Sequence, residues 1–287
     1  MPSTAADRGG RDRLEPAADR GRPPVFVAAR ELLARDQVIL DGSEGRHAAT
    51  VRRLRPGERA DLIDGAGLVA ECVVASARPG ELELTVLTRR EEPPPQPRIC
   101  VIQAIPKGDR GEQAVETMTE VGVDVIVPWA AERCVAVWDS RGSAPGAGPG
   151  TASRGGGRRQ SGGGDREPRG LARWRRTALE ASKQSRRTWF PEVTALASTA
   201  DAVGRARAAA CPVVLDPAGP ARLGTLELPV TGEILLVVGP EGGLTAAESA
   251  AFAQAGATAA HLGPTVLRAS TAGTAAAAVL LSRCGRW

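Results

Sequence analysis

The spacing of apolar residues changes once along the chain. Between residues 23 and 90, apolar runs of strand length alternate with turn-forming Pro-Gly and Asp-Gly pairs, which predicts a small β-barrel or sandwich. The predicted strands are 25–27, 38–40, 60–63, 68–75 and 81–87. Between the second and third of these strands, residues 43–54 carry apolar positions at helical spacing, so we expect one short helix there.

Beyond residue 98 the apolar pattern alternates between strand length and helix length. The predicted strands are 99–104, 123–127, 134–137, 213–215, 234–238 and 259–262, and the predicted helices are 109–121, 171–187, 201–209, 245–255 and 270–284. This alternation predicts an α/β domain with a mostly parallel sheet that helices cover on both faces. The proline-rich run 91–97 can neither continue a helix nor enter a central strand, so it marks the predicted domain boundary.

Local signals mark the ends of two of these helices. Gly122 and Gly256 follow the last periodic residues of helices 109–121 and 245–255, as C-terminal stops do. Residue pairs with capping-box spacing open the same two helices; they are Asp109 with Glu112 and Thr245 with Glu248.

Two segments show no periodicity, and we expect both to be disordered. Residues 1–22 form a polar tail, and residues 141–170 form an insertion with 11 glycines and 6 arginines. The insertion is compatible with an arginine-glycine arm that touches RNA and with an inert linker.

Composition narrows the class of protein. A chain of 287 residues with 42% hydrophobic and 24% charged residues is neither wholly disordered nor fibrous. The net charge of +4 favours polyanionic partners only mildly. The five cysteines and two histidines are too dispersed for a metal site or a disulfide framework, so we expect buried, reduced thiols. The sequence shows no leader and no apolar run of membrane length, and we expect a soluble cytoplasmic protein.

Three loops that follow predicted strands are candidates for ligand binding. They are 216–219, 239–244 and 263–268. Because ligands bind at the carboxyl ends of parallel strands, the three loops could converge on one pocket. The loop 239–244 is neither a Walker loop nor a dinucleotide fingerprint, so a ligand loop and a simple tight turn both remain open. Arg268 directly precedes a helix start, where the macrodipole disfavours a cation; a nearby anion or simple solvation would account for it.

Five motifs of the back part resemble the RsmE family of bacterial small-subunit ribosomal RNA uridine N3-methyltransferases, which belongs to the SPOUT superfamily. In chain order they are PKGDRGE (106–112), EVGVDVIVPWAAERCV (120–135), ALEASKQSRR (178–187), GPEGGLTAAE (239–248) and LGPTVLRASTAG (262–273). In the front part, HAATVRRLRPGE (47–58) and IDGAGLVAECVV (63–74) are similar to that family's PUA-like RNA-binding barrel. The resemblance covers most of residues 23–284.

The resemblance implies a fold, a cofactor and partners. The fold is α/β, a C-terminal SPOUT domain with a deep trefoil knot after a small PUA-like β-barrel. The implied division is a tail at 1–22, the barrel at 23–90, a linker at 91–97 and the methyltransferase domain at 98–287. The implied cofactor is S-adenosylmethionine, the substrate is 16S ribosomal RNA of the small subunit, and the protein is a homodimer. The implied cofactor-binding residues are Leu215, Asp216, Gly239, Pro240, Glu241, Gly242, Gly243, Leu262, Gly263, Leu267, Arg268 and Ser270.

Candidate residues for chemistry and RNA binding follow from the same resemblance. Uracil N3 is protonated at neutral pH, so methyl transfer needs a base or a cation that stabilises the uracil anion. Arg268 is the candidate cation, and the sequence offers no clear general base. Many relatives carry Glu at the position of Ser270 and Arg at that of Thr265. The candidate phosphate contacts are Lys107, Arg110, Arg133, Lys183, Arg186, Arg187, Arg52 and Arg53.

Two other functions stay open at this point. A SPOUT 2′-O-ribose methyltransferase would share the knot and act on a sugar hydroxyl. A non-catalytic RNA-binding assembly factor would retain the pocket without turnover, and the departures at Ser270 and Thr265 keep that reading open.

Overall fold

The structure is a computed structural model that describes residues 22–136, 138 and 169–287. The predicted tail, apart from Arg22, and most of the predicted insertion therefore lie outside the described residues. The insertion prediction is wrong for Arg169 and Gly170, because these two residues open a helix. Gly170 is buried there, packed so closely on Trp138 that a Cβ atom would clash with the ring.

The front part folds into a five-stranded sheet of order β1-β3-β4-β5-β2. Its elements are β1 Val25–Val27, α1 Arg30–Leu33, β2 Gln37–Leu40, α2 Gly42–Arg46, β3 Arg59–Ile63, β4 Leu68–Arg78 and β5 Glu81–Glu91. In place of the predicted single helix 43–54, the structure has the short helix α2, which continues into a π-helical turn at His47–Val51. Alternate residues of β4 and β5 point into one core with Phe26, Leu62 and Leu84, as expected for a sheet covered on one face.

The back part forms a seven-stranded sheet of order β10-β12-β9-β11-β6-β7-β8, and every strand pair in it is parallel. Its strands are β6 Arg98–Ala104, β7 Val125–Trp129, β8 Glu192–Val193, β9 Cys211–Leu215, β10 Ala221–Arg222, β11 Glu233–Val238 and β12 Thr258–His261. Its helices are α3 Arg110–Val121, α4 Arg169–Gln184, α5 Thr199–Ala208, α6 Ala246–Gln254 and α7 Ala269–Arg283. The prediction of an α/β fold with a parallel sheet is confirmed.

The central strands are buried on both faces, which explains their unbroken apolar sequences. Ile99 and Val101 of β6 face one core with α3, α4 and α7, whereas Cys100 and Ile102 face a second core that includes Phe252 of α6. Burial of such side chains is the main source of stability in a sheet of this kind. Burial also raises the pKa values of the Cys72 and Cys100 thiols, that of Cys72 to about 11. All five cysteines are free thiols, but only Cys72 and Cys100 are fully buried.

Three predictions about individual elements are wrong. Residues 134–136 form no strand, and Val137 lies outside the described residues. The second strand of the sheet begins at Val125 rather than at residue 123. Asp109 makes no capping hydrogen bond at the start of α3, because its backbone, with φ −81° and ψ 5°, lacks the extended conformation of an N-cap residue; Glu112 forms an ion pair with Arg173 of α4 at 3.0 Å. The capping box of Thr245 and Glu248 is confirmed, as are the left-handed glycines Gly122 and Gly256.

A buried ion-pair cluster joins the two ends of the back part. Asp124 accepts hydrogen bonds from Arg286 at 2.6 and 3.0 Å, from Arg187 at 3.4 Å and from the Ile99 N–H at 2.8 Å. Arg187 also donates to the backbone oxygens of Thr119 and Val123. The prediction of Arg187 as a phosphate contact is therefore wrong, because its guanidinium is buried and bound within the fold.

Within the described ranges 22–136 and 169–287, no helix combines the length and apolar character needed to cross a bilayer. Those ranges also contain no cluster of three or more potential metal-ligating side chains.

Candidate functional site

The carboxyl ends of three neighbouring strands surround one cavity of ≈ 530 Å³. Strands β9, β11 and β12 are adjacent in the sheet, so the loops that follow them meet at the same edge. The predicted cofactor-binding residues that line the cavity are Leu215, Asp216, Gly239, Pro240, Glu241, Gly243, Leu262, Gly263, Leu267 and Arg268. Gly242 and Ser270 do not line it. The size falls within the range of small-molecule sites.

The floor of the cavity is apolar and its rim is polar. Val214, Val238 and Ala260 at the strand ends form part of the floor, and Ala269 and Ala272 of α7 close it from one side. The rim carries two carboxylates, those of Asp216 and Glu241, and one guanidinium, that of Arg268. An apolar floor with a few convergent polar groups is the usual composition of a ligand site.

Tight turns bring the backbone of the loops close to this cavity. The Gly243 N–H donates to the Pro240 oxygen at 2.8 Å, and Gly243 has a φ of +70°, a conformation that glycine adopts without strain. Gly263 lines the cavity as bare backbone, and a Cβ atom built there meets no protein atom within 4 Å. The space beside Gly263 is therefore free for a ligand.

Arg268 occupies the N-cap position of α7, and its side chain makes no capping hydrogen bond. The residue is exposed at the cavity. Arg268 has no hydrogen-bond or ion-pair partner among the side chains that the structure describes. Because the Arg268 guanidinium is exposed and unpaired, it is accessible to an anionic group that enters the cavity. Thr265 lines the same cavity, whereas Ser270 is buried in the first turn of α7.

His261 is a cavity residue that the sequence did not single out. The ring Nδ1 lies 2.8 Å from the Gly219 oxygen. Since a carbonyl oxygen only accepts, Nδ1 donates its hydrogen and the other ring nitrogen is left for other contacts. The ring is half-buried and lines the cavity. The only local signal for this role is its position directly before Leu262-Gly263.

Neighbouring loops hold the loop 239–244 in place. Arg133 donates to the Gly242 oxygen at 2.9 Å and to the Leu244 oxygen at 3.2 Å. The carboxylate of Glu248 accepts from the Glu132 N–H at 2.8 Å, which joins α6 to the loop after β7. Arg133 therefore braces the loop, and its role as a phosphate contact stays a prediction.

The loop after β6 lies against the same loop from the other side. Arg110 forms an exposed ion pair with Glu241 at 3.6 Å, and the Lys107 N–H lies 3.5 Å from the Glu241 carboxylate. Both side chains are exposed, so two of the predicted phosphate contacts stand beside the cavity rim. Exposed pairs of this kind are weak, and the Arg110 guanidinium remains available to another anion.

The other predicted phosphate contacts lie away from the cavity. Arg52 and Arg53 end the π-helical turn of the front part and are exposed. Arg186 follows α4, one turn beyond Lys183. The side chain of Lys183 is 11% exposed and forms an ion pair with Glu44 at 2.7 Å, so its role as a phosphate contact stays a prediction.

Filling the space beside Gly263 is expected to weaken ligand binding without unfolding the protein. The substitution Gly263→Leu places a side chain where no protein atom competes, so we expect cofactor affinity to fall by about 10-fold or more, since 1.4 kcal/mol of lost contacts suffices. Isothermal titration of S-adenosylmethionine measures the change. Gly204→Leu on α5 is the matched control, because that position is also open and lies outside the cavity lining. Equal affinities for the two variants would contradict the assignment of the cavity.

Comparisons with known proteins agree with this geometry. The model of a family described as "RNA methyltransferase domain" matches residues 92–144 and 158–281, and that of an "RNA methyltransferase PUA domain" matches residues 40–87. The chain is 42% identical over 253 residues to the Ribosomal RNA small subunit methyltransferase E of Mycobacterium bovis, with 87% of each chain covered. The protein of the same name from Bacillus subtilis is 25% identical over 243 residues, covering 81% of this chain and 85% of the relative. The crystal structure of the Neisseria gonorrhoeae protein of that name, bound to S-adenosylmethionine, has a TM-score of 0.72 at 26% identity, covering 91% of this chain and 98% of that one.

Proposed function

Because the chain belongs to the RsmE family of small-subunit ribosomal RNA methyltransferases, we propose that it methylates N3 of one uridine in 16S ribosomal RNA. The coarser function is S-adenosylmethionine-dependent methylation of ribosomal RNA. The observation that supports N3 is the unpaired cation Arg268 at the rim of the cavity between the three loops.

The residues of the cavity fit S-adenosylmethionine. The apolar floor formed by Val214, Val238 and Ala260 suits an adenine ring, and the bare backbone at Gly263 leaves room for close approach. The rim carboxylates of Asp216 and Glu241 complement the positive charges of a sulfonium and an amino group. When bound, the cofactor supplies an electrophilic methyl group.

Arg268 supplies what the uracil ring needs. Loss of the N3 proton places negative charge on N3 and on the two carbonyl oxygens of the ring. The Arg268 guanidinium at the rim of the cavity stabilises that charge when the anion forms. The N3 proton passes to solvent water before or during transfer, and the methyl group forms a bond to N3 as its bond to sulfur breaks, which leaves the neutral thioether S-adenosylhomocysteine. Because a stacked uridine cannot reach the cavity, the target nucleotide must be splayed out of its helix.

We also propose that the protein acts as a homodimer in the cytoplasm and that its C-terminal part is knotted. Apolar side chains beside the cavity support the dimer: Val266 is 76% and Leu267 is 37% exposed. Exposed apolar side chains at the edge of a binding site are typical of a surface that a partner covers. The family resemblance supports the knot and the location.

Nucleoside analysis of methylated RNA tests the proposal. Small ribosomal subunits that lack the modification are incubated with the protein and labelled S-adenosylmethionine, and the RNA is digested to nucleosides. We expect label in N3-methyluridine. A ribose-methylated nucleoside would replace the proposal with a 2′-O-methyltransferase. Binding without transfer of label would indicate a non-catalytic assembly factor.

A further inference from the structure

A second, polar groove lies between the front sheet and α4, and it shares no residue with the cofactor cavity. Its volume is ≈ 360 Å³. His47 and Arg52, from the π-helical turn, line one wall. Lys183 and Arg186, from α4 and the residues that follow it, line the other. Any ligand that fills this groove therefore touches both parts of the molecule at once.

Two cations of this groove, Arg52 and Arg186, have no ion-pair partner among the described residues, although the charge of Arg186 opposes the rise that burial causes in the pKa of the half-buried Asp61. The two carboxylates of the groove, Glu44 and Glu180, both lie against Lys183, at 2.7 and 3.6 Å. Arg52 and Arg186 have no carboxylate within ion-pair distance among the described residues, and Arg186 donates only to the backbone oxygen of Arg22. Two guanidiniums thus remain for an anion that enters between the two walls.

Two arginines at or beside this groove adopt a backbone conformation that favours glycine. Among the described residues, the non-glycine residues with positive φ are Arg53, at +55°, and Arg186, at +56°. Arg186 ends α4 in the left-handed position that glycine usually fills, since the Arg187 N–H donates to the Ser182 oxygen. Arg53 occupies the corresponding left-handed position after the π-helical turn, where the Leu54 N–H donates to the Ala48 oxygen.

Strain of this kind persists where a side chain serves a function. The chain has 34 glycines, and eleven of them hold the other positive-φ positions of the described residues. At the two helix ends nearest the groove, arginine therefore stands where the described residues otherwise place glycine. Arg186 lines the groove itself. Arg53 does not line it, but it directly follows Arg52, which does.

We propose that this groove binds backbone phosphates of the RNA strand that flanks the target uridine, with Arg52 and Arg186 as the contacts. This inference rests on the proposed function and adds to it a second site of contact. A guanidinium suits a phosphate because its planar N–H groups pair with two phosphate oxygens. Because the walls belong to different parts of the chain, RNA in the groove bridges the front sheet and α4 and fixes the register of the strand relative to the cavity.

The salt dependence of RNA binding tests the assignment. The full chain and its Arg52→Gln/Arg186→Gln variant are titrated with protein-free small-subunit RNA at several salt concentrations. Each lost phosphate contact on a single strand lowers the slope of log affinity against log salt by about 0.7, so we expect a slope smaller by about 1 to 1.5.

We also expect affinity at physiological salt to fall by about 10-fold or more, by analogy with removal of phosphate contacts elsewhere. KM for RNA should rise while kcat at saturating RNA stays near that of the wild type.

Two further variants separate a specific site from general charge. Arg35→Gln/Arg207→Gln removes the same charge from exposed arginines outside the groove, and its slope should match that of the wild type. Arg52→Lys/Arg186→Lys retains the charge and should restore most of the slope. Glutamine at position 186 meets the same backbone strain as arginine, so stability is expected to change little, and thermal unfolding checks this.

Two results would overturn the inference while the wild type still forms N3-methyluridine. One is an unchanged salt slope in the glutamine variant. The other is normal binding of naked RNA combined with lost activity on assembled subunits, which would assign the groove to a ribosomal protein. If instead the wild type forms no N3-methyluridine, the proposed function fails, whatever the slopes are.

Discussion

Replacing Arg268 by alanine is expected to lower turnover by about 10²-fold or more, as loss of one charge-stabilising donor does in other enzymes. The guanidinium has no protein partner among the described residues and stands at the rim of the cavity, so its removal leaves the uracil anion without a compensating charge. Single-turnover methyl transfer to unmodified small-subunit RNA measures the effect. The loss should appear in kcat more than in cofactor affinity, because stabilisation of the anion acts in the transition state.

The controls for this prediction separate charge from structure. Arg268→Lys keeps a positive charge and should retain part of the activity. Arg222→Ala removes an exposed arginine of β10 that does not line the cofactor cavity, and its turnover should remain near that of the wild type. Turnover of Arg268→Ala equal to that of Arg222→Ala would remove Arg268 from the mechanism.

Replacing Asp124 by alanine is expected to lower the free energy of unfolding by about 3–5 kcal/mol, because it leaves buried charges without a partner. The carboxylate is 6% exposed and lies against both Arg187 and Arg286. Burial lowers the pKa of Arg187 to about 10, and the charge of Asp124 opposes that shift. Arg187 therefore stays charged at neutral pH, and without Asp124 its charge is buried and uncompensated. Urea denaturation at pH 7 measures the loss.

An exposed ion pair provides the contrast. Asp36 forms an ion pair with Arg89 at 3.1 Å, but its carboxylate is 90% exposed. We expect Asp36→Ala to cost no more than about 1 kcal/mol, since water screens such pairs. If the two variants lost the same stability, the Asp124 cluster would be no more than a surface interaction.

Local sequence signals predicted structure where the deciding atoms are neighbours in the chain. Thr245 and Glu248 form their capping box because both partners belong to the same turn. Asp109 and Glu112 have the same spacing, yet that box does not form, because the backbone of Asp109 lacks the extended conformation of an N-cap residue. Glu112 pairs with Arg173 on α4, a residue 61 positions away in the sequence. A spacing rule therefore holds only where the backbone adopts the conformation that the cap requires.

The cofactor cavity was largely predictable because its loops follow apolar strands. The sequence placed turn-forming residues after β9, β11 and β12, and parallel pairing then brings such ends to one edge. The strand order that makes these three strands neighbours was not predicted, and the structure supplies it. His261 was not predicted as a cavity residue, because half-burial at the end of a strand leaves no pattern in the sequence.

Charged residues were the least predictable part of the site. Lys183, Arg186 and Arg187 lie within five positions, and the sequence treated them alike. In the structure Lys183 is held by Glu44, Arg187 is buried against Asp124, and Arg186 alone lines the groove without a carboxylate partner among the described residues. Glu44 lies 139 positions from Lys183, and Asp124 lies 63 positions from Arg187.

The sequence by itself determined the succession of strands and helices, the glycine-rich loops at strand ends and the family. These features depend on periodicity, turn chemistry and motifs, which act over a few residues. Only the tertiary structure decided which arginines are free, that Arg53 and Arg186 are strained, and that a polar groove separates the front sheet from α4. The availability of a charge depends on whether a distant counter-charge reaches it, and only the folded chain sets those distances.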